Sequence, residues 1–238
     1  MLMITHLVGF GAVATEKPPP FSAFLGGQTS SSSPFNNFSL TSFGMGDEDD
    51  PSRQILVMVY GLNANAASDT NFTTAVSVAG VGATRISQPS SSANSHHTAW
   101  LTARQDSGGP TGATGTITVS RSTGNGYNTC GVAVYALYNR ADPALAFHSE
   151  IRDAANPTAS GTFPVANNMM IFGICRQAAS NDFTWGGSGI DETFDSVLGV
   201  NGSQRLGSAK RDQVVGNAAY SVTATGSLTT SMLAISIA

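Results

Sequence analysis

TAVSVAGVGATRISQ, residues 74–88, places Val76 and Val78 on one side of an extended chain and Ala75, Ser77 and Ala79 on the other, then breaks at Gly-Val-Gly. A side-chain period of two is that of a half-buried strand. Gly80 and Gly82 reach positive φ at little steric cost, which lets the chain turn back. Thr84 and Ile86 begin a second strand. The stretch reads as a hairpin, and it holds no catalytic side chain.

The same grammar continues on both sides. Upstream, RQILVMVYGL (53–62) is an unbroken apolar run bounded by turn residues, which suits a strand buried on both faces. NNFSLTSF (36–43) alternates. Downstream, HTAWLTARQ (97–105) and TITVS (116–120) read as strands, TCGVAVYALYN (129–139) as a second buried strand and NNMMIFGICRQ (167–177) as a third. Short strands fit 145–151 and 158–164. Residues 191–200 fit either a strand or a helical turn. NAAYSVTA (217–224) and SLTTSMLAISI (227–237) close the chain. Turn signals recur every ten or so residues and no helical period is sustained. The expected fold is all-β: an antiparallel, jelly-roll-like β-sandwich of about 10–12 strands, with an N-terminal arm.

The expected organisation is an N-terminal arm and flexible linker over residues 1–35, followed by one β-sandwich domain over 36–238. KPPP (17–20) stops regular pairing because proline lacks an N–H, and GGQTSSSSP (26–34) is flexible in composition. The first residues hold Met1, Leu2, Ile4, Leu7, Val8 and Phe10. They read either as a first strand of the sandwich or as an assembly arm that adds to a neighbouring subunit's sheet. Ala12-Val13-Ala14 looks like a cleavage site, but no Lys or Arg precedes it and His6, Gly9 and Gly11 interrupt the apolar run, so an export signal is not expected.

Charged residues make up only 11% of the 238 residues, against roughly a quarter in ordinary domains. Such a surface rests on hydroxyls and amides, or is hidden in an assembly. Net charge is −4 and the nearest cationic grouping is Arg205, Lys210 and Arg211, too little for phosphate neutralisation, so no nucleic-acid partner is expected. No run approaches the length of a membrane span. Cys130 and Cys175 lie in apolar strands and read as buried thiols or as a disulfide between neighbouring strands.

Taken together, RQILVMV (53–59), TAVSVAGVGAT (74–84), HTAWLT (97–102), GATGTITVS (112–120) and CGVAVYALY (130–138) resemble a β-sandwich module of tailed-bacteriophage virion structural proteins, over roughly residues 36–139. The resemblance implies a head decoration protein, a tail or fibre subunit, or an adaptor between them. It implies a virion location after assembly in the host bacterial cytoplasm, and partners that are copies of the chain and other virion proteins. It brings no catalytic residue and no cofactor.

Other candidates compete with blander readings. Asp47, Glu48, Asp49 and Asp50 could gather calcium, yet they lack a known loop spacing and read as a solvated turn. No metal site is expected. His96 and His97 would point to opposite faces of a strand and read as a surface pair. Gly187-Ser188-Gly189 lacks a full nucleophile elbow. Asp191 with Glu192 or Asp195 could serve a polysaccharide hydrolase. Trp100 and Tyr60 read as core aromatics, and Tyr127 could join a sugar platform. Trp185 and Phe183, in DFTWGGSG, are the expected glycan-binding candidates, loop-borne and exposed; a host surface glycan is the alternative partner.

Overall fold

Alternation in the sequence becomes strand pairing almost throughout. In this computed structural model, residues 18–35, 37–62, 73–87, 95–121, 127–140, 146–154, 158–162, 169–177, 184–193, 200–201, 204–214, 219–225 and 230–237 are described. The first strands are β1 (Phe21–Phe35), β2 (Asn37–Gly44), β3 (Gln54–Leu62), β4 (Ala75–Val78), β5 (Val81–Gly82), β6 (Thr84–Ser87), β7 (Ser95–Leu101), β8 (Thr114–Ser120) and β9 (Tyr127–Tyr138). Then follow β10 (Ala146–Ala154), β11 (Thr158–Thr162), β12 (Met169–Gln177), β13 (Thr184–Gly186), β14 (Glu192–Thr193), β15 (Val200–Asn201), β16 (Gln204–Val214), β17 (Ala219–Thr225) and β18 (Thr230–Ile237). One 3₁₀ turn spans Gln105–Ser107.

These strands form four antiparallel sheets. The first inner sheet has the order β1-β9-β3-β7-β6 and its outer companion β2-β8-β4-β5. The second inner sheet has the order β10-β18-β12-β16-β14, with β15 also on β16, and its outer companion β11-β17-β13. The two sets repeat one plan. In each, the first strand sits beside the last, then the third, then the seventh; the second sits beside the eighth, then the fourth. That is the strand order of an eight-stranded jelly roll, two Greek keys folded into a sandwich. The jelly-roll fold therefore occurs twice in the chain, once over 21–138 and again over 146–237.

The layers stack as outer, inner, inner, outer, with an apolar cluster at each junction. Phe38, Val76, Val78, Ile117 and Val119 of the first outer sheet meet Ile55, Val57, Val59, Val132 and Val134 of its inner sheet. The opposite face of that inner sheet supplies Leu56, Met58, Tyr135 and Leu137, which meet Met170, Phe172, Ile174, Leu233 and Ile235. The third cluster joins Ile171, Cys175 and Met232 to Val222 and Ala224. Strands β3, β9 and β12, expected as core strands, lie in the inner sheets, where both faces are buried; this is why their sequences do not alternate. Gly131 permits the close approach of the two inner sheets, since a Cβ there would come 2.3 Å from Leu206 Cδ2.

Several expectations differ from this architecture. One β-sandwich domain over 36–238 was expected; the described strands form four layers, and Phe21–Phe35, expected as part of the arm and linker, form β1 of the first roll. GGQTSSSSP, expected as flexible linker, lies in β1, where Gly27 pairs with Ala133 and Thr29 with Gly131. Strand pairing uses backbone groups, which a low-complexity sequence supplies as well as any other. The opening hairpin closes at Val78↔Val81 over Ala79 (φ 51) and Gly80 (φ 81), two positive values that suit a tight hairpin. Gly82 is not the turn. The chain instead leaves the outer sheet at Ala83, and β6 pairs with β7 in the inner one. Strand β16 was not expected at all.

Candidate functional site

The arm residues Met1, Leu2, Ile4, Leu7, Val8 and Phe10 lie outside the described residues, as do Phe183 and Asp195. The side chain of Tyr127 is likewise outside them. Trp185 is described. It sits on strand β13 rather than in a loop, paired with Ala224, and is half-buried. Its indole lies over Gly173 of the inner sheet, where a Cβ would come 3.0 Å from Cζ3. The absence of a side chain at Gly173 makes the socket. Trp185 thus packs on the third apolar cluster with Ile190 and Tyr220. Tyr220 pairs with Gly161 and carries the Arg211 guanidinium 5.8 Å above its ring.

The Gly187-Ser188-Gly189 segment is a structural turn. Ser188 Oγ accepts from the Ser221 amide at 3.2 Å, and its carbonyl accepts from Arg211. Asp191 and Glu192 are consecutive at a strand start, and Glu192 reaches toward Lys210 Nζ at 3.6 Å.

The acidic loop is organised from inside by Arg53, which is fully buried. Its Nη1 donates to the Asp47 carbonyl at 2.9 Å, and its Nη2 donates to the carbonyls of Pro110 and Gly112 at 3.1 Å each. Asp50 accepts from the amide and hydroxyl of Ser52 at 2.7 and 2.6 Å. The Asp47 amide donates to the Tyr138 hydroxyl at 2.8 Å. Burial raises the Tyr138 phenol above its ordinary value, and this hydrogen bond offsets part of the rise. The loop carboxylates Asp47, Glu48 and Asp49 remain exposed. Among the described residues no group of three or more His, Cys, Asp or Glu comes together as metal ligands would.

His96 and His97 are both buried, 6% and 1% exposed, which corrects the surface pair that was expected. They do face opposite ways, and their strand, β7, is covered on both sides. The His97 ring lies 5.2 Å from that of Tyr60. Tyr60 and Trp100 are core residues, as expected. Cys130 and Cys175 are buried free thiols in different rolls, so the disulfide reading does not hold. Burial raises both above the ordinary thiol range.

A cleft of about 250 Å³ opens at the rim of the inner sheets, lined in part by Gln54, Ile86, Leu101, Thr102 and Arg140. Gln54 spans it: the amide accepts from Arg140 Nη1 at 2.9 Å and donates to the Thr102 carbonyl at 3.1 Å.

The outer sheets carry the feature most relevant to contact with other molecules. None of the strands β2, β4, β5 and β8 contains an Asp, Glu, Lys or Arg. The same is true of β11, β13 and β17. The outward positions of the first outer sheet are Asn37, Ser39, Ala75, Ser77, Thr116, Thr118 and Ser120, beside an inward row of buried apolar residues. The low overall charge is visible in the sequence; that the described strands of both outer sheets carry none of it is not.

No family model matches the chain, and no curated protein does. Among solved structures, a triple jelly roll from the turret assembly of an archaeal virus aligns at 12% identity over 91% of this chain and 59% of that one, with a TM-score of 0.29. A chain of Sulfolobus Turreted Icosahedral Virus aligns at 11% identity over 94% and 60%, with a TM-score of 0.30. A conserved protein of unknown function from Pseudomonas aeruginosa PAO1 aligns at 9% identity over 85% and 75%, with a TM-score of 0.29. The chain thus spans about three fifths of each viral chain. At these identities and scores the likeness is one of β-rich architecture, and no function follows from it.

Proposed function

We propose that the chain is a structural component of a bacteriophage virion, a head-decoration or tail- or fibre-associated subunit. It acts by assembly contacts with copies of itself and with other virion proteins, and makes or breaks no bond. The observation that carries this reading is the charge-free character of both outer sheets. Interface cores are depleted of charged residues, because burying a charge costs far more than burying a hydroxyl that finds a partner. Edge strands of soluble monomers are commonly guarded by Lys or other charges. The edges of the first outer sheet, β2 and β5, and those of the second, β11 and β13, have none. The virion setting rests on the sequence resemblance over 36–139; the assembly role rests on these faces.

Sedimentation of the purified chain across a hundredfold concentration range tests the assembly role. Self-association is expected, and the double variant Ser77→Lys/Thr118→Lys, which places two cations on the first outer face, should reduce it. A chain that stays monomeric throughout, and is absent from the imaged particles of a phage that encodes it, would remove the proposal.

A further inference from the structure

The two jelly rolls meet in a way that a linker alone would not produce. Strand β3 crosses β12 at the centre of the inner junction. Around that crossing β9 faces β16, while β18 faces β7. Strand β1 lies on the β15–β16 edge, while β10 lies on β6. Exchange each strand for its counterpart in the other roll, β9 for β18, β7 for β16, β1 for β10, β6 for β15, and the β3–β12 crossing maps onto itself, β9–β16 onto β18–β7 and β1–β15 onto β10–β6, while the β1–β16 contact is an addition on one side. This is the signature of a two-fold relation, in which the same surface is used by both partners.

The side chains follow the same rule. Alternate residues of β3, Leu56, Met58 and Tyr60, point into the junction, and so do Met170, Phe172 and Ile174 of β12. The last strand of each roll adds its own alternate residues, Tyr135 and Leu137 from β9, Leu233, Ile235 and Ile237 from β18. Tyr135 and Phe172 meet across the junction with ring centroids 4.9 Å apart. A surface this apolar on one roll is stable only when covered, and the other roll covers it.

We infer that the inner face of each roll is a self-complementary docking surface whose partner is a second roll of the same build. The chain is a dimer of jelly rolls joined by the connection after Arg140, and the covalent link is not what holds the two together. The inference is independent of the virion reading, since it concerns only how the halves of one chain associate.

The test severs the full chain in its native state. A protease recognition sequence is inserted between residues 141 and 145 and cut after folding. Before cutting, the insertion variant must melt as the parent does, which separates a folding defect from a loss of association. After cutting, both fragments are expected to co-elute as one species near the 24.4 kDa mass of the parent and to keep its circular dichroism. The melting temperature of the cut protein should then fall on dilution, while that of the uncut protein stays constant. Fragments that elute apart, that lose their β-sheet signal on cutting, or that melt independently of concentration would overturn the inference.

Discussion

The Ser22 hydroxyl donates a 2.6 Å hydrogen bond to the Asp212 carboxylate, joining the first strand of one roll to the seventh of the other. The Ser22 amide adds a second bond at 3.2 Å. Lys210, only 4% exposed, completes the group: Nζ donates to the Ser22 carbonyl at 2.7 Å and to Asp212 at 2.9 Å. A buried ammonium is tolerated here because the Ser22 carbonyl and the charged Asp212 carboxylate replace its water, with Glu192 3.6 Å away. The polar cluster lies beside the apolar cluster that fills the junction, where the Arg176 guanidinium also lies over the Tyr60 ring.

Removing the carboxylate should therefore cost more than the hydrogen bonds suggest. Asp212→Ala leaves Lys210 buried with, among the described residues, the more distant Glu192 as counter-charge. A loss of about 2–3 kcal/mol is expected, at the low end for a broken buried pair because Asp212 is partly exposed. Urea unfolding measures it. Lys210→Met together with Asp212→Leu should recover most of the loss, since an apolar pair needs no compensation.

The inner junction should respond more strongly. Phe172 is fully buried against Tyr135. Phe172→Ala is expected to cost about 3–5 kcal/mol through lost contact and the cavity left behind. Gly131→Ala, one methyl group placed 2.3 Å from Leu206 Cδ2, should also destabilise, by about 1–3 kcal/mol. Gly131→Ala with Leu206→Ala should be less severe than the sum of the two, which a double-mutant cycle would show.

Much of this was legible in the sequence, and what was missed has a common cause. The alternating run at 116–120 announced a strand because its side chains sort by burial, and the unbroken apolar runs at 53–62 and 129–139 announced theirs because both faces are covered. Strand β1 did not, because Gly26, Gly27 and the serines have no side-chain pattern; its partner β9 dictates it through the backbone. Strand β16 was hidden for the opposite reason. Lys210, Arg211 and Asp212 look like a solvated stretch, yet Lys210 is held inside by contacts from residues almost two hundred positions away. The repeat was equally out of reach, since jelly-roll order is a property of long-range pairing. For the same reason DFTWGGSG looked like a display loop: the socket at Gly173 that receives Trp185 belongs to another sheet.

Alkaline pH should weaken the fold. Burial raises Cys130, Cys175 and Tyr135 above the ordinary values of 9.0 for the thiols and 10.0 for the phenol. Groups raised in the folded state contribute stability that is complete below their unfolded values and is lost as pH rises past them. Stability set by these groups should be level from pH 6 to 8 and decline above about 9. The decline should steepen above about 10, where the phenol joins the two thiols, each group removing at most about 1.4 kcal/mol per pH unit. Thermal melts against pH check this, and Cys130→Ala with Cys175→Ala should flatten the first part of the decline.

Arg53 should govern the acidic loop. Its guanidinium fork reaches carbonyls from both the 46–47 and 110–112 segments, a geometry one ammonium cannot reproduce. Arg53→Lys is expected to lose about 2–3 kcal/mol, several charge-assisted bonds being only partly replaced. Amide exchange should rise at 46–52 and 110–113 ahead of the rest of the chain. Uniform exchange across the molecule would instead make Arg53 a residue of the whole core.

Trp185 separates assembly from glycan recognition. Its indole is half-buried over Gly173, so Trp185→Ala should cost about 2–3 kcal/mol, less than a fully buried aromatic. The exposed remainder of the ring is what a sugar could stack on. Trp185→Leu keeps an apolar side chain over Gly173 and removes the aromatic face on which a sugar would stack. If the chain binds a glycan at Trp185, Trp185→Leu should abolish array binding while lowering the melting temperature less than Trp185→Ala does. If the residue serves only the fold, Trp185→Ala lowers the melting temperature, and no variant here changes what the array retains. Binding that survives Trp185→Leu would place any glycan contact elsewhere on the chain.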